Sequence, residues 1–281
     1  MNKIQYFLLL TLLPFASARA TEFVSGRQRI NAGWEFVRQD MADAWEVFRP
    51  VQAGKPESVP LWENVDLLHC FNAMDAVDPD VNYYRGAGWY RKYIRLNNPY
   101  GKDGHTYLEF EGTGQSAQVY VYTTCVGSHV GGYDRWKVDI TEAAKAFLKS
   151  PDAKRFGGKI PVAVRCDNRR DVEFIPSSMS DFNVYGGLYR HVNVLYQPST
   201  AIRSIYMLPN LPNRRMEVVL QMERPTSQAE VSVCLLSPSG KVIYQNLHVP
   251  GVNGEEVRLN IKVNHPQIWD VDCPRLYTLE A

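Results

Sequence analysis

Long apolar runs are scarce in this chain. Beyond residue 20 no stretch is apolar enough to cross a bilayer, so a membrane-spanning helix is not expected. An excess of either charge is also missing. The 31 basic and 30 acidic residues leave a formal net charge of +1 with no long basic block, which argues against nucleic acid or an anionic membrane as a partner. The five cysteines, Cys70, Cys125, Cys166, Cys234 and Cys273, include no C-x-x-C pair and no regular spacing. A disulfide scaffold is therefore not expected, their odd number leaves at least one thiol free or bonded to another chain, and most are expected to be small buried hydrophobes. None of the histidines (69, 105, 129, 191, 248 and 265) stands in H-x-H, H-E-x-x-H or a Cys/His cluster, so no metal and no cofactor are expected. Gly112-Thr-Gly114 and Gly131-Gly132 lack the Lys-Ser/Thr or helix of a phosphate loop and read as turns. A serine nucleophile would need a G-x-S-x-G elbow, and there is none. Helix-forming stretches are few: residues 40–48, and residues 140–148 with Asp139 or Thr141 as cap. A parallel α/β fold needs about ten helical residues after nearly every strand, which this spacing does not supply.

What is abundant is β-forming sequence. Residues 21–197 are rich in aromatic and β-branched side chains broken at short intervals by Gly, Pro, Asn and Asp, the pattern of an all-β sandwich. Strands are expected at 29–37, 89–94 (with Trp89, Arg91 and Tyr93 on one face), 106–110, 117–122, 160–165 and 188–196. After Pro198 a second series begins, with strands at 202–208, 216–222, 230–236, 241–245, 256–263 and 276–280 and a Ser239-Gly240 turn. It has the texture of an immunoglobulin-like sandwich, but such a domain takes about 100 residues. The chain is therefore expected to continue beyond Ala281 or to be a fragment. At the other end Lys3, the apolar run 7–16 and Ala18-Arg19-Ala20 have the order of a secretory signal cleaved after Ala20. Export is expected, to the periplasm, the cell surface or the medium.

For chemistry, the segment Ser178-Met-Ser-Asp-Phe-Asn-Val-Tyr-Gly-Gly-Leu-Tyr-Arg190 places one carboxylate, Asp181, among Phe182, Tyr185 and Tyr189, next to a glycine pair. From the segment alone, Asp181 as a turn-forming Asx residue is an equal alternative. Glu109-Phe-Glu111 puts two carboxylates on one strand face roughly 6.6–7 Å apart. A solvated strand face is the expectation there, because glycosidase carboxylates flank a sugar from separate elements. Trp62, Trp89, Tyr83, Tyr84, Tyr133, Trp136 and Tyr185 are candidates for stacking on sugar rings, with core packing as the competing use of each.

Taken in order, Asn31-Ala-Gly-Trp34, Val65-Asp-Leu-Leu-His-Cys-Phe-Asn72, Tyr84-Arg-Gly-Ala-Gly-Trp-Tyr-Arg-Lys92 and Phe110-Glu-Gly-Thr113 with Ala117-Gln-Val-Tyr120 form a pattern over most of the chain. It continues in Val126-Gly-Ser-His-Val-Gly-Gly-Tyr133, Asp139-Ile-Thr141, Val162-Ala-Val-Arg165 with Asp167-Asn168, and residues 181–190. This pattern resembles the non-catalytic N-terminal region of glycoside hydrolase family 2, the β-galactosidases, β-glucuronidases and β-mannosidases. The resemblance implies a jelly-roll sugar-binding domain, an immunoglobulin-like domain, and then a (β/α)₈ barrel that carries the two catalytic glutamates of a retaining enzyme. A barrel needs about 250 residues of βα alternation, and residues 21–281 contain no such stretch. The resemblance further implies that Asp181 reaches the barrel mouth and bonds sugar hydroxyls, with Asn183 a second contact. Arg85 stands where some β-galactosidases have a substrate-touching Asn, and it can donate to hydroxyls or a carboxylate. Two local departures, Tyr122-Thr-Thr-Cys125 in place of Val-Asn-Gly and Leu68 in place of Pro, concern turns only.

The expected protein is thus an all-β chain with a signal peptide at residues 1–20, a jelly-roll sugar-binding domain at 21–197 and a truncated immunoglobulin-like sandwich at 198–281. It would be the N-terminal part of an exported β-galactosidase-like glycosidase, helping to complete the substrate site. Catalytic residues are not expected in it; Asp181, Asn183 and Arg85 are its substrate-binding candidates, and residues 21–281 alone should be inactive. Its partners would be a β-glycoside and the missing C-terminal barrel, with a homo-oligomer left open. Two other classes compete: a stand-alone carbohydrate-binding or adhesion module, marked by an exposed aromatic platform, and a structural or oligomerising sandwich that binds no sugar.

Overall fold

The computed structural model describes residues 26–175, 182–226, 229–249 and 254–281. The segment proposed as a signal peptide, and Asp181, lie outside them. In chain order the first half comprises β1 (Arg27–Arg29), β2 (Trp34–Val37), α1 (Ala44–Phe48), β3 (Glu63–Val65), β4 (Ala87–Ile94), β5 (His105–Phe110), β6 (Ser116–Val121), β7 (Thr124–Val130), β8 (Trp136–Asp139), α2 (Thr141–Lys149), β9 (Ile160–Asp167) and β10 (Val192–Gln197). The second half comprises β11 (Ala201–Asn210), β12 (Arg215–Glu223), β13 (Val231–Leu236), β14 (Val242–Val249), β15 (Glu256–Lys262) and β16 (Thr278–Glu280).

Among the described residues every ladder is antiparallel, in four sheets ordered β1-β10-β5-β8, β3-β2-β4-β9-β6-β7, β11-β12-β15 and β14-β13-β16. The first two sheets form the jelly-roll sandwich and the last two the immunoglobulin-like one. The pleat explains the layering. In β6, Ala117, Val119 and Val121 are buried while Gln118 and Tyr120 face outward on the opposite side. Trp34, Phe36, Tyr90, Leu108, Phe110, Val164, Leu188 and Val194 belong to the core of the first sandwich. The other face of β4 carries Trp89, Arg91 and Tyr93 as expected. Trp89 packs with Phe48, Val47 and Ala163 in a smaller cluster beneath α1, with Tyr93 at its edge. A separate core of Val218, Leu220, Val233, Leu235 and Ile261 fills the second sandwich.

Several expectations are corrected. Residues 29–37 form two strands rather than one, because Asn31–Gly33 carries the chain from the four-stranded sheet to the six-stranded one. Gly33 supplies the left-handed turn (φ +69°), and its N–H donates to Asp66 Oδ1 at 2.7 Å. The strand expected at 188–196 starts only at Val192, since the backbone at 188–191 is spent on loops: Leu188 accepts from His69 N and His191 from Glu111 N, both at 3.0 Å. The Glu109/Glu111 face is not solvated. Glu109 is buried and ion-paired with Arg27, Glu111 pairs with Arg29 at 3.4 Å, and Asn193 Nδ2 donates to both carboxylates at 3.2 Å. Of the cysteines only Cys166 is buried; Cys125 and Cys273 are exposed, and all five are free thiols. At α2 the N-cap position is Ile140, and Asp139 Oδ1 accepts from Thr141 N at 2.8 Å.

Candidate substrate-contact site at one end of the first sandwich

Ladder register decides which loops meet. Ala87 pairs with Asp167, Ser116 with both Asp167 and Val130, and Phe110 with both Val192 and Trp136. The chain entering β4 at Ala87, the loops 111–115 and 131–135, the chain leaving β9 after Asp167 and the chain entering β10 at Val192 therefore lie at one end of the sheets. There the described part of the 178–190 segment is held by its backbone. The Val184 carbonyl accepts from Tyr83 Oη at 2.9 Å, Asn168 Nδ2 at 2.9 Å and Asn72 Nδ2 at 3.0 Å. Asn72 Oδ1 in turn accepts from Gly186 N, and Asn168 Oδ1 from Gly86 N, both at 2.9 Å. Two buried side-chain amides thus do for these loops what a ladder does for strands.

The glycine pair has a steric reason. A Cβ on Gly186 would run into the Phe71 ring, and Gly187, at φ +111°, lies against Tyr90 Oη and the His69 carbonyl. From the other side Gly114 packs on the Tyr185 carbonyl, and its N–H donates to Gly187 O at 3.1 Å.

On this platform Asn183 is exposed, and Arg85 is half-buried with its guanidinium 5.0 Å from the centre of the Tyr83 ring. Tyr83 thus touches both the Arg85 guanidinium and, through its hydroxyl, the carbonyl of Val184, the residue after Asn183. No carboxylate pairs with Arg85 among the described residues. The nearby acids are already committed: Asp75 to Arg38 at 2.9 Å and to Tyr84 N at 3.0 Å, Asp167 to Arg165 at 2.9 Å and Arg169 at 2.7 Å. Burial pushes the Tyr83 and Tyr84 phenols and the Cys70 thiol up, so all three stay neutral donors near pH 7. Burial lowers His69, whose Nδ1 lies 2.8 Å from Tyr90 Oη. Among the described residues no group of three or more His, Cys, Asp or Glu comes together. The site offers hydroxyl, amide and guanidinium groups to a polar ligand, and the carboxylates of Asp75 and Asp167 are spent on arginines.

Of the candidate aromatics, Trp89 is core; Trp62 lies under the Arg91 guanidinium, 4.1 Å away, and Trp136 stacks between Phe110 and His129. Tyr133 (65% exposed) and Tyr185 (45%) remain open to solvent, both at this end of the sandwich. The anchors Asn72 and Asn168 were not singled out from sequence, and Tyr83, a candidate for sugar stacking, instead uses its hydroxyl to hold the Val184 carbonyl. Asn72 and Asn168 lie within recognisable segments, but nothing local tells a buried bridging Asn from a turn Asn.

The chain is thus a two-sheet sandwich with a polar loop platform at one end, followed by an immunoglobulin-like sandwich. The chain belongs to glycosyl hydrolases family 2: residues 27–198 match the model of that family's sugar binding domain. It is similar to the solved structures of Bacteroides uniformis beta-glucuronidase 3 (50% identity, TM-score 0.80) and of Parabacteroides merdae beta-glucuronidase (45%, 0.83), covering 90% of this chain and 32% of each of those. Among curated relatives, the Bacteroides fragilis beta-glucuronidase is 28% identical over 73% of this chain and 30% of its own length. The Thermoanaerobacter pseudethanolicus beta-galactosidase is 26% identical over 89% and 32%. The chain thus corresponds to an N-terminal part of these glycosidases and spans about a third of their length.

Proposed function

We propose that this chain is the N-terminal, non-catalytic part of an exported family 2 glycosidase acting on β-glucuronosides. In this reading Asp181, Asn183 and Arg85 contact the sugar, while a catalytic part outside residues 1–281 supplies the acid/base and nucleophile. The observation that carries it is the segment 182–190, which carries exposed Asn183 and is anchored through the Val184 carbonyl by Asn72, Asn168 and Tyr83, the last of which also stacks with Arg85, a guanidinium with no acid partner among the described residues. A uronic acid brings the carboxylate that Arg85 lacks. The 45–50% identity to two β-glucuronidases supports this choice over a β-galactoside. Export rests on the n-region, apolar run and Ala18-Arg19-Ala20 of the first twenty residues.

The test is to express the reading frame past Ala281 and compare nitrophenyl β-glucuronide with nitrophenyl β-galactoside. Hydrolysis favouring the glucuronide, an inactive 281-residue chain, and a roughly 10²-fold or larger loss in Asp181→Ala would agree with the proposal. Turnover by the 281-residue chain above a mock preparation would overturn it. Exposed Tyr133 and Tyr185 favour a second reading, a stand-alone carbohydrate-binding module. That reading requires the 281-residue chain itself to bind immobilised glycans and to lose binding in Tyr133→Ala.

A further inference from the structure

The second sandwich carries an apolar hollow of about 410 Å³. One wall is the end of β11 and the turn after it, with Met207, Pro209 and Leu211; the other is the irregular stretch between β15 and β16, with Ile268, Trp269 and Leu276. That stretch has a defined shape. Gln267 N donates to Tyr277 Oη at 2.7 Å, Asp270 and Cys273 exchange backbone bonds at 3.3 and 3.2 Å, and Asp272 N donates to Asp270 Oδ1 at 3.0 Å. Yet Trp269 is 54% exposed and Leu276 69%. Three arginines, Arg214, Arg215 and Arg275, also line the hollow, and among the described residues none is paired with a carboxylate. Apolar surface gathered this way marks a contact face, and unpaired arginines around it call for acidic groups on whatever covers it.

We infer that this hollow is the docking face for the catalytic part of the longer glycosidase, which covers it with an apolar surface bearing carboxylates opposite Arg214, Arg215 and Arg275. The inference rests on the reading above that the chain is one part of a longer enzyme. Two observations favour this occupant: the relatives extend to about three times the length matched here, and the apolar floor with its cationic rim asks for a mixed apolar and acidic surface, which a neutral sugar is not.

Cys273 provides the readout, being an exposed thiol on the stretch 266–277 that supplies one wall, two residues before the lining Arg275, while exposed Cys125 on β7 of the other sandwich serves as reference. A thiol reagent is applied to the 281-residue chain and to the polypeptide read past Ala281, and modification at each cysteine is followed by mass spectrometry. Docking predicts that Cys273 reacts at least tenfold more slowly in the longer polypeptide, with Cys125 unchanged. It also predicts that Arg215→Glu/Arg275→Glu restores much of the Cys273 rate there while leaving the melting temperature of the 281-residue chain unaltered. An active longer polypeptide whose Cys273 reacts at the short-chain rate overturns the docking face and leaves the proposed function standing. Protection of Cys273 in the 281-residue chain that grows with its concentration also overturns it, assigning the hollow to a second copy. A frame that stops directly after Ala281 overturns both inferences.

Discussion

Three donors converge on the Val184 carbonyl, and two of them come from side chains with almost no solvent contact, Asn72 and Asn168. Asn168 also accepts from Gly86 N and donates to the Tyr84 carbonyl at 3.1 Å, so one amide joins the loop bearing Arg85 to the segment bearing Asn183. Leaving a buried polar group without its partner costs about 1–3 kcal/mol. Asn168→Ala should therefore lower the unfolding free energy by about 2–3 kcal/mol in a urea titration, and a change below about 0.5 kcal/mol would show that other partners satisfy these backbone groups. Arg85 makes a different prediction, because its ring contact with Tyr83 orients it without neutralising it. In the longer polypeptide Arg85→Gln should cut kcat/KM for a β-glucuronide about tenfold, the loss of one charge-assisted bond of roughly 1.4 kcal/mol, and leave the β-galactoside value unchanged. An equal fall for both substrates would assign Arg85 to general positioning. A third residue sets an acid limit. Burial holds the folded His69 imidazole below its ordinary value, with Glu63 only partly opposing it. Its neutral form is therefore the one the fold accommodates. The associated stability is complete above about pH 6.5 and is lost as pH falls below that value toward the folded one. The melting temperature should drop between about pH 7 and pH 5, and His69→Gln should flatten that drop.

At the scale of elements, the loop platform depends on close approach. The 182–190 segment lies on Phe71 because Gly186 has no side chain, and even a methyl group there meets the ring. Gly186→Ala should cost about 1–3 kcal/mol by overpacking, and adding Phe71→Leu should recover part of it in the same melting experiment. The need for small residues here was legible in the sequence as a glycine pair ahead of a β-forming run, whereas the partner that requires it, Phe71, lies more than a hundred positions away. Strands with strict alternation were equally legible: β6 was expected at 117–122 from Ala117, Val119 and Val121. β7 was not, since Thr124–Val130 is polar, contains Gly127 and buries none of its side chains fully. The break at Asn31–Gly33 was hidden because the expected run 29–37 spans it, and only the change of sheet separates its two parts. Glu109 misled because a charged residue on a strand reads as solvent-facing until β1, two strands away across β10, brings Arg27 to it.

Across the whole molecule the two sandwiches meet through a polar junction, and its chemistry sets how firmly they act together. Lys137 Nζ on β8 donates to Glu223 Oε1 at 2.8 Å, and Arg224 reaches back to Tyr107 Oη at 2.7 Å and the Ser199 carbonyl at 2.8 Å. Glu223 is the centre of this set. Burial opposes its ionisation, but the Lys137 bond and the charges of Lys137 and Arg224 outweigh burial, so the carboxyl sits below its ordinary range. A carboxylate depressed in the folded state stabilises fully above its unfolded value, about 4.3, and that stabilisation disappears as pH falls through the folded value. Acid should therefore loosen the junction below about pH 4.3, after the earlier loss of stability that His69 brings to the first sandwich. Differential scanning calorimetry of the 281-residue chain is expected to show closely coupled unfolding at pH 7 that resolves into two transitions below about pH 4. Glu223→Gln keeps the shape of the side chain but removes its charge, so it should separate the transitions already at pH 7. Transitions that stay merged in Glu223→Gln at both pH values would mean that the linker around Pro198, rather than this ion pair, couples the sandwiches.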